Sequence, residues 1–513
     1  MTPIHRRQFI RSAAGLAAAS CASRSFGDSP TIHNLLSIGT YGLPGYSIED
    51  AIDLIGGTGF ESIEIAAMPG YHGAPDQLSR KARNRIRKHL SAREIQLGAL
   101  MGLPIPKSGR QRENLDAFNQ LLELALDLSP DSPPLIQGVL GSGTWEEKKT
   151  LFLDELGPWV ERAKAAGIQV AIKPHRAHAM SLPEQGIQLI DQLNAADSLG
   201  LVYDQSHFAY RDLPLAETIA RALPYTAYVV MKDAVLLDGK VRYRLPGQAG
   251  SIPHTEVLRH FIGGGYRGEI CAEVSRQVWS GAGYDAVDST RTCLHNLRSI
   301  RDGMDESAFS QIFNGRDFTG WDGKRGSWEV RDGAIWCTGK SEKKNWLIWR
   351  GGQPDDFILR MEFRWDRGNS GVQVRSDDIG DWQIQGYQVE VAKQEVMGLW
   401  HHSLLDKESP KREARHLMVE AGESAVIAGN GSRTKTRINE AEAVKAQFQE
   451  HAWNDLEIIA QGDTLTQKIN GVTFSTVTDR DTEQSRRKGW IALQDHGKGC
   501  EVAFRNLRIR MIS

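Results

Sequence analysis

Hydrophobic and polar positions follow two different periods along the 513-residue chain, and the change falls near residue 310. Before it, short apolar runs alternate with stretches whose apolar residues recur about every 3.6 positions, as in helices packed on buried strands. After it, short runs that alternate between apolar and polar residues are separated by turns rich in Gly, Asn and Asp. The pattern therefore predicts an α/β region followed by an all-β region.

The first region contains a repeated strand-then-helix pattern. The apolar runs that we predict to be strands are 35–40, 62–66, 95–101, 134–140, 169–173, 199–204, 227–231 and 268–274. Between them lie helical stretches such as 47–57, 77–92, 112–128 and 145–166. Eight such units on one chain predict a (β/α)8 barrel.

The second region alternates with a period of two residues. In its clearest run, Leu359, Met361, Phe363 and Trp365 are separated by charged residues, which is typical of a strand with one solvated face. Most of the 13 tryptophans lie in this region, which favours a β-rich and sugar-facing structure. Many short strands at this spacing predict an antiparallel β-sandwich.

The first thirty residues have the pattern of a targeting segment. Arg6 and Arg7 precede Phe9-Ile10, a short Ala-rich apolar stretch and small residues at a possible cleavage site. These features predict a twin-arginine signal peptide and an exported, periplasmic protein. Cys21 as a lipoprotein site is a less favoured alternative. The predicted domains are therefore 1–30 (signal), 31–305 (barrel) and 310–513 (sandwich).

The charge of the chain limits the classes of molecule that we expect it to bind. The chain has 62 basic and 64 acidic residues, a net charge of −2, so we expect neither nucleic acid nor a membrane surface as a partner. No transmembrane segment is expected after signal removal, and the oligomeric state stays open.

Cys271, Cys293, Cys337 and Cys500 lack the spacing typical of metal sites. Buried thiols are the simplest interpretation, with a Cys337–Cys500 disulfide as the alternative in an exported protein.

Polar residues recur where the predicted barrel strands end. They are Glu64, Lys173, His175, Asp204, His207, Lys232 and Glu273. Strand ends of a barrel face one common mouth, and buried polar groups are costly without partners, so their recurrence favours a functional site over single structural pairings. We predict catalytic roles for Glu64, Lys173 and His175.

Four motifs occur in the first region in a fixed order. They are Gly59-Phe60-Glu61-Ser62-Ile63-Glu64, Asp204-Gln205-Ser206-His207, Lys232-Asp233, and Gly265-Tyr266-Arg267-Gly268 before Glu273. On these motifs, residues 33–303 resemble the xylose-isomerase-like TIM barrels, a family of sugar (phosphate) isomerases and epimerases. The resemblance implies a divalent ion (Mn, Mg, Co or Zn) held by Glu, Asp, His and Glu at strands five to eight. Asp204 and Glu273 match, whereas Lys173 and Val230 stand where the other two ligands are expected.

These two departures leave three hypotheses open, in order of preference. A metal is retained by a re-formed ligand set, namely His175, Asp204, His207 and Glu273. Alternatively, the Lys173 ammonium itself stabilises a developing enolate without metal. In the third hypothesis, the barrel only binds a ligand.

The candidate catalytic residues of the second region are Glu390, Arg375, Asp495 and His496. Each also has an ordinary structural interpretation: an outward carboxylate, a surface strand residue, and a turn at Asp495-His496-Gly497. The sequence leaves both open.

The second region, about residues 310–512, closely resembles the 3-keto-disaccharide hydrolase domain, a concanavalin-like jelly roll. The motifs that carry the resemblance include Phe313-Asn314-Gly315, Gly368-Asn369-Ser370-Gly371-Val372, Gly386-Tyr387-Gln388, Trp453-Asn454, Asn470-Gly471, Gln494-Asp495-His496-Gly497 and Phe504-Arg505-Asn506. The resemblance implies an exported enzyme that cleaves 3-keto-glycosides by proton abstraction at C2, elimination and hydration, with a small carbohydrate as substrate. The alternatives are a sugar isomerase or epimerase with a sugar-binding sandwich, and a non-catalytic carbohydrate-binding scaffold.

Overall fold

The computed structural model describes residues 34–248, 252–402 and 416–512. The predicted signal peptide, with Arg6, Arg7 and Cys21, lies outside these residues. Within them, the predicted architecture is confirmed: a closed barrel of eight parallel strands precedes a β-rich region of mainly antiparallel sheets.

The barrel strands pair in the order β1, β10, β7, β6, β5, β4, β3, β2, and every pair is parallel. The strands of the first region are β1 (Leu36–Gly39), β2 (Ser62–Ala66), β3 (Gln96–Met101), β4 (Leu135–Gly138), β5 (Val170–Ile172), β6 (Leu199–Tyr203), β7 (Thr226–Met231), β8 (Asp233–Leu237), β9 (Lys240–Arg244) and β10 (Ile270–Ala272). The β8–β9 hairpin, which the sequence analysis did not predict, follows the end of β7 directly.

Helices surround the barrel because each presents an apolar face to the strands. They are α1 (Ile48–Thr58), α2 (Arg80–Ala92), α3 (Gln111–Leu128), α4 (Trp145–Ala165), α5 (Pro183–Gln192), α6 (Leu215–Ala222), α7 (His254–Gly263), α8 (Arg276–Trp279) and α9 (Ala286–Asp302). Local signals set their limits: the Ser47 hydroxyl accepts from the Asp50 amide at the start of α1, and Gly59 follows its end with φ of 105°. None of the described helices is long and apolar enough to cross a membrane.

The second region consists of short strands and one short helix. They are β11 (Ser310–Gln311), β12 (Trp321–Asp322), β13 (Trp328–Arg331), β14 (Ala334–Cys337), β15 (Asn345–Trp349), β16 (Phe357–Arg367), β17 (Ser370–Gly380), β18 (Gln383–Val391), β19 (Gly398–His402), β20 (Leu417–Glu420), β21 (Glu423–Ile427), β22 (Arg433–Arg437), α10 (Ala441–Lys445), β23 (Trp453–Gln461), β24 (Thr464–Ile469), β25 (Val472–Asp479), β26 (Trp490–Asp495) and β27 (Glu501–Met511).

These strands form two sheets with a shared core. The seven-stranded sheet has the order β12, β15, β26, β17, β18, β19, β20, and the ten-stranded sheet is built around β16 and β27. Val372, Val389 and Leu493 of the smaller sheet pack with Leu359 and Phe504 of the larger one. Since side chains alternate along a strand, the neighbouring residues of β17, β18 and β26 lie on the opposite, outer face of the smaller sheet.

Polar contacts join the barrel region to the sandwich. The Glu306 carboxylate accepts from Arg360 and Arg508, each at 2.8 Å. On the β8–β9 hairpin, the Leu236 carbonyl accepts from the Glu440 amide at 2.8 Å. The hairpin therefore touches both the barrel mouth and the sandwich.

Candidate functional site

Four charged groups pair with one another at the barrel mouth. The Lys173 Nζ lies 2.9 Å from Asp204 Oδ2 and 2.5 Å from Glu273 Oε2. The Lys232 Nζ lies 2.5 Å from the same Asp204 oxygen and 2.8 Å from Glu273 Oε1. Each residue directly follows the last residue of its strand, β5, β6, β7 or β10. The parallel strands thus deliver two ammonium groups and two carboxylates to one point.

The neighbouring charges decide the protonation of this cluster. Burial alone would raise the pKa of Glu273, but the Lys173 and Lys232 ammonium groups outweigh it and lower the pKa to about 2. The same balance holds the pKa of Asp204 well below its usual range. Burial opposes the charge on Lys173, yet the two carboxylates raise its pKa. All three groups are therefore charged near neutral pH.

Three histidines line the same mouth. The His175 ring centroid lies 4.0 Å from that of His207 and 4.3 Å from that of His178. Burial, and then the charges of His178 and Lys232, lower the pKa of His175 to about 3. Burial and Lys232 likewise lower the pKa of His207, whose Nδ1 is 2.9 Å from the Tyr243 hydroxyl on the hairpin. These imidazoles are neutral hydrogen-bonding groups near neutral pH.

Glu64, at β2, has a different setting from Glu273. It is buried, and its Oε2 accepts a 2.8 Å hydrogen bond from the Gln137 amide. Burial raises the pKa of Glu64 to about 7, because the Gln137 hydrogen bond and the Lys173 charge compensate only in part. A carboxyl with such a pKa can exchange a proton near neutral pH.

The barrel residues do not fit the predicted metal-binding set. His207 Nε2 lies 3.5 Å from Asp204 Oδ2, but no three of the residues His175, Asp204, His207 and Glu273 have ligand atoms within 4.8 Å of one another, and both carboxylates are already paired with lysine ammonium groups. His207 Nε2 lies 3.3 Å from the Lys232 Nζ, so a cation beside it would meet a like charge. We therefore derive no step through a metal in the barrel.

The sandwich presents a row of functional side chains on its outer face. Trp346 is opposite Gln494, Gln494 is opposite Gly371, and Gly371 is opposite Glu390. Gly371 leaves room for a neighbour, because a Cβ there would lie 2.6 Å from the Gln388 side chain. The row across four strands therefore places a tryptophan, two amides and a carboxyl on one surface.

Among the described residues, only amide groups donate hydrogen bonds to the Glu390 carboxyl. Asn369 Nδ2 donates to Oε1 at 2.5 Å, and Gln388 Nε2 donates to Oε2 at 2.6 Å. Glu390 is only 5% exposed, and burial raises its pKa to about 7 despite both hydrogen bonds and the Lys344 charge. Glu390 is thus poised for proton transfer near neutral pH.

Several buried polar atoms near Glu390 have no hydrogen-bond partner among the described residues. They are Trp346 Nε1, Asn369 Oδ1, Gln373 Nε2, Gln388 Oε1, His402 Nε2 and Gln494 Nε2. Buried polar atoms are nearly always paired, so a group of unpaired ones on one face indicates a surface that meets a polar ligand. Burial, followed by the charges of Lys344, His416 and His496, lowers the pKa of His402 to about 4.

The other predicted residues of the sandwich lie elsewhere. The Arg375 guanidinium is buried and donates to the carbonyls of Asp355 and Gly462 and to the Asp356 carboxylate, each at 2.8 Å. Asp495 turns to the core side of its sheet, where Ser341 Oγ donates to its carboxylate at 2.5 Å. His496 follows it in an exposed turn. The structure does not bring Arg375 or Asp495 to the Glu390 carboxyl.

Sequence reasoning missed several members of both sites. In the barrel these are Gln137, His178 and Tyr243, and in the sandwich Trp346, Asn369, Lys344, Gln388, His402 and Gln494. Gln388 and Gln494 could have been found from the sequence. Gln388 stands two residues before Glu390, and Gln494 directly precedes Asp495. Tyr243 offered no signal, because the hairpin that carries it was not predicted.

Comparisons with solved structures find partial matches at low sequence identity. One match is a xylose isomerase-like TIM barrel/4-hydroxyphenylpyruvate dioxygenase fusion protein (18% identity, TM-score 0.43, 53% of this chain and 43% of that chain). Another is an IolI protein with bound zinc (18%, 0.46, 53% and 99%). A third is 3-keto-D-glucoside 4-epimerase of E. coli (14%, 0.41, 52% and 99%). No curated protein matches the chain.

Two family models match consecutive parts of the chain. Residues 52–305 match the xylose isomerase-like TIM barrel, and residues 308–510 match the 3-keto-alpha-glucoside-1,2-lyase-like domain. Both are domains of enzyme families. The chain therefore contains a region that matches the xylose isomerase-like TIM barrel, followed by a region that matches the 3-keto-alpha-glucoside-1,2-lyase-like domain.

Proposed function

We propose that the chain is an exported enzyme that cleaves 3-keto-glycosides on the outer face of the seven-stranded sheet. The observation that carries the proposal is the buried Glu390 carboxyl, surrounded by amide groups with unpaired polar atoms. The hydroxyl and carbonyl groups of a sugar can pair with such atoms.

In the proposed reaction, the Glu390 carboxylate removes the proton on C2, which the C3 carbonyl acidifies. The electron pair moves into an enediolate, with negative charge on the C3 oxygen. Collapse of the enediolate forms the C1–C2 double bond and breaks the bond from C1 to the glycosidic oxygen, which takes a proton from water. The hydroxide left by that water then adds at C1, and Glu390, whose proton has exchanged with solvent, returns a proton to C2.

The surroundings of Glu390 suit this role. A general base works best when its pKa lies near the operating pH, and burial raises the pKa of Glu390 to about 7. The Lys344 charge, which acts on both Glu390 and His402, would stabilise the negative enediolate.

The test is incubation of the full chain with a 3-keto-disaccharide in D2O, followed by nuclear magnetic resonance. We expect release of the aglycone sugar together with deuterium at C2 of the keto sugar, and no reaction of the unoxidised parent disaccharide. Equal cleavage of the parent would refute the proposal, because a parent sugar has no C3 carbonyl to acidify the C2 proton.

A second candidate function is isomerisation or epimerisation of a ketosugar in the barrel. It is favoured by Glu64, whose pKa is raised by burial to about 7, close to the positive charge of Lys173. Glu64 would move the proton, and the ammonium groups would stabilise the enediolate in place of a metal. In this case Lys173→Met should abolish isomerisation of 3-keto-glucose, whereas Glu390→Gln should leave isomerisation intact.

Export through the twin-arginine pathway is a separate part of the proposal. It is supported by Arg6 and Arg7 ahead of an Ala-rich stretch. Replacement of both arginines by lysine should retain the protein in the cytoplasm, as cell fractionation and immunoblotting would show. Unchanged export of that variant would refute the proposal that the twin-arginine pathway exports the protein.

A further inference from the structure

Three potential metal ligands meet at one end of the sandwich, on the core side of the sheets. Cys337 ends β14, Asp495 ends β26, and Cys500 directly precedes β27. Their two Sγ atoms and a carboxylate oxygen lie within 4.8 Å of one another, and all three side chains are buried. Strands β14 and β27 belong to the ten-stranded sheet and β26 to the seven-stranded sheet. The cluster therefore links the two sheets.

The Asp495 carboxylate in this cluster has only neutral neighbours. It is 0% exposed and accepts from Ser341 Oγ at 2.5 Å, the Gly497 amide at 3.0 Å and Asn345 Nδ2 at 3.4 Å. No lysine or arginine in the described part of the chain pairs with it. A buried carboxylate normally has a cationic partner or binds a metal, because burial of an isolated charge is costly. A bound cation would remove this cost.

The two thiols contact backbone carbonyls, and the Cys337 thiol also interacts with the side chains of Cys500 and Ser370. Cys337 Sγ donates to the Gln494 carbonyl at 3.6 Å, and Cys500 Sγ donates to the Asn369 carbonyl at 3.2 Å. Thiolate sulfur is a ligand that zinc-like ions prefer, whereas magnesium and calcium prefer oxygen alone. Two sulfurs and one carboxylate oxygen therefore select a thiophilic divalent ion.

We propose that Cys337, Asp495 and Cys500 bind one zinc-like divalent ion that ties the two sheets together. On binding, the two thiols release two protons and form two metal–sulfur bonds, while the carboxylate supplies the third bond. The Ser341 hydroxyl, already in contact with the Asp495 carboxylate, is a neighbouring oxygen donor for the fourth position. The ion needs no redox partner, because no electron is transferred.

The same cysteine pair could instead be oxidised to a disulfide, and the position of Asp495 argues against it. A disulfide would leave the buried carboxylate without a cationic partner, whereas a bound divalent ion would contact this carboxylate and both thiolates and offset two of their three negative charges.

The proposed ion would lie behind the Glu390 face. The carbonyls that accept from the thiols belong to Gln494 and Asn369, whose side chains face the opposite side of the sheet. There the Asn369 amide donates to Glu390, and Gln494 Oε1 accepts from Gln388 at 3.0 Å. Metal binding would therefore affect the positions of Asn369 and Gln494, the two residues that support Glu390. The metal site itself does not depend on the proposed reaction.

The experiment uses the full chain, stripped of metal by a chelator and titrated with Co2+. We expect one Co2+ per chain with a thiolate-to-cobalt charge-transfer absorption band, and loss of the band on addition of Zn2+. Cys337→Ser and Cys500→Ser should each abolish the band, and the matched control Cys293→Ala, a buried cysteine of the barrel, should keep it. Asp495→Asn should weaken binding at least about tenfold, since loss of even a partner of a ligand costs about 10- to 100-fold.

Two outcomes would overturn the proposal. One is cobalt binding without the charge-transfer band, or with a band that both serine variants retain, because the ion would then lie elsewhere. The other is a disulfide, seen as two fewer titratable thiols in denaturant without reductant and restored by reduction. If the variants do not fold, alkylation of the wild-type chain decides: Zn2+ should slow modification of Cys337 and Cys500 but not of Cys293.

Discussion

The carboxyl groups of Glu273 at the barrel mouth and of Glu390 on the sandwich face are both largely enclosed, but they differ in charge. Glu273 lies between two ammonium groups, which lower its pKa to about 2. Glu390 accepts hydrogen bonds from two amides, and burial raises its pKa to about 7. The neighbouring groups, more than the depth of burial, therefore decide whether an enclosed carboxyl stays charged or exchanges a proton near neutral pH. The barrel cluster thus suits stabilisation of a developing negative charge, and Glu390 suits proton transfer.

The largest expected effect concerns Glu390 as the proton carrier. Glu390→Gln should reduce the turnover of a 3-keto-disaccharide by about 10² to 10⁴, the usual contribution of a general base. Steady-state assays at pH 8 measure this, with the exposed Glu420→Gln on the same sheet as control. Turnover within twofold of wild type would show that the amide-bound carboxyl is not the base.

The ammonium groups of the barrel provide the second test. Lys173→Met should lower the free energy of unfolding by about 3 to 5 kcal/mol, because it leaves buried carboxylates partly uncompensated. Denaturant unfolding measures the change. Lys164→Met, which breaks the exposed pair with Asp197, is the control and should cost less than about 1 kcal/mol.

A double variant tests whether Lys173 stabilises the barrel through its charge. The double variant Lys173→Met, Glu273→Gln removes one charge of each sign and should recover part of the lost stability. A double variant as unstable as the sum of its single variants would show that Lys173 stabilises the barrel by packing rather than by charge.

The third test is the pH dependence of stability from Glu390. Its folded-state pKa of about 7 lies above the ordinary value of 4.5, so the folded protein holds the proton more tightly than the unfolded chain. The free energy of unfolding should therefore fall as pH rises from about 4.5 to 7, by up to about 3 kcal/mol. In Glu390→Gln the fall should be smaller by about this amount in thermal unfolding curves. An unchanged profile would mean that another group, such as Glu64, accounts for it.

The smallest expected effect has the opposite sign and comes from Glu273. Its pKa of about 2 lies below the ordinary value of 4.5, so its contribution is present above pH 4.5 and is lost as pH falls towards 2. By pH 3 the loss should be about 2 kcal/mol in wild type, and it should be smaller by about this amount in Glu273→Gln. Acid unfolding followed by circular dichroism measures it. Parallel acid profiles of the two proteins would contradict the ion-pair assignment.

The sequence by itself determined both architectures, because the periods of 3.6 and two residues report which face of each element is buried. It also placed Lys173, Asp204 and Glu273 at one mouth, since consecutive strands of a parallel barrel end on the same side. Glu390 was selected through its motif, without any indication of its pKa.

Only the tertiary structure decided how these residues are paired. Periodicity cannot show that Lys232 and Lys173 share the same two carboxylates, since the four residues come from four different strands. Nor can it show that Asp495 faces the core while Gln494 faces Glu390, because a register shift of one residue exchanges the faces. The physical reason is the same in each case: pKa values and ligand sets depend on distances of a few ångströms between residues far apart in the chain.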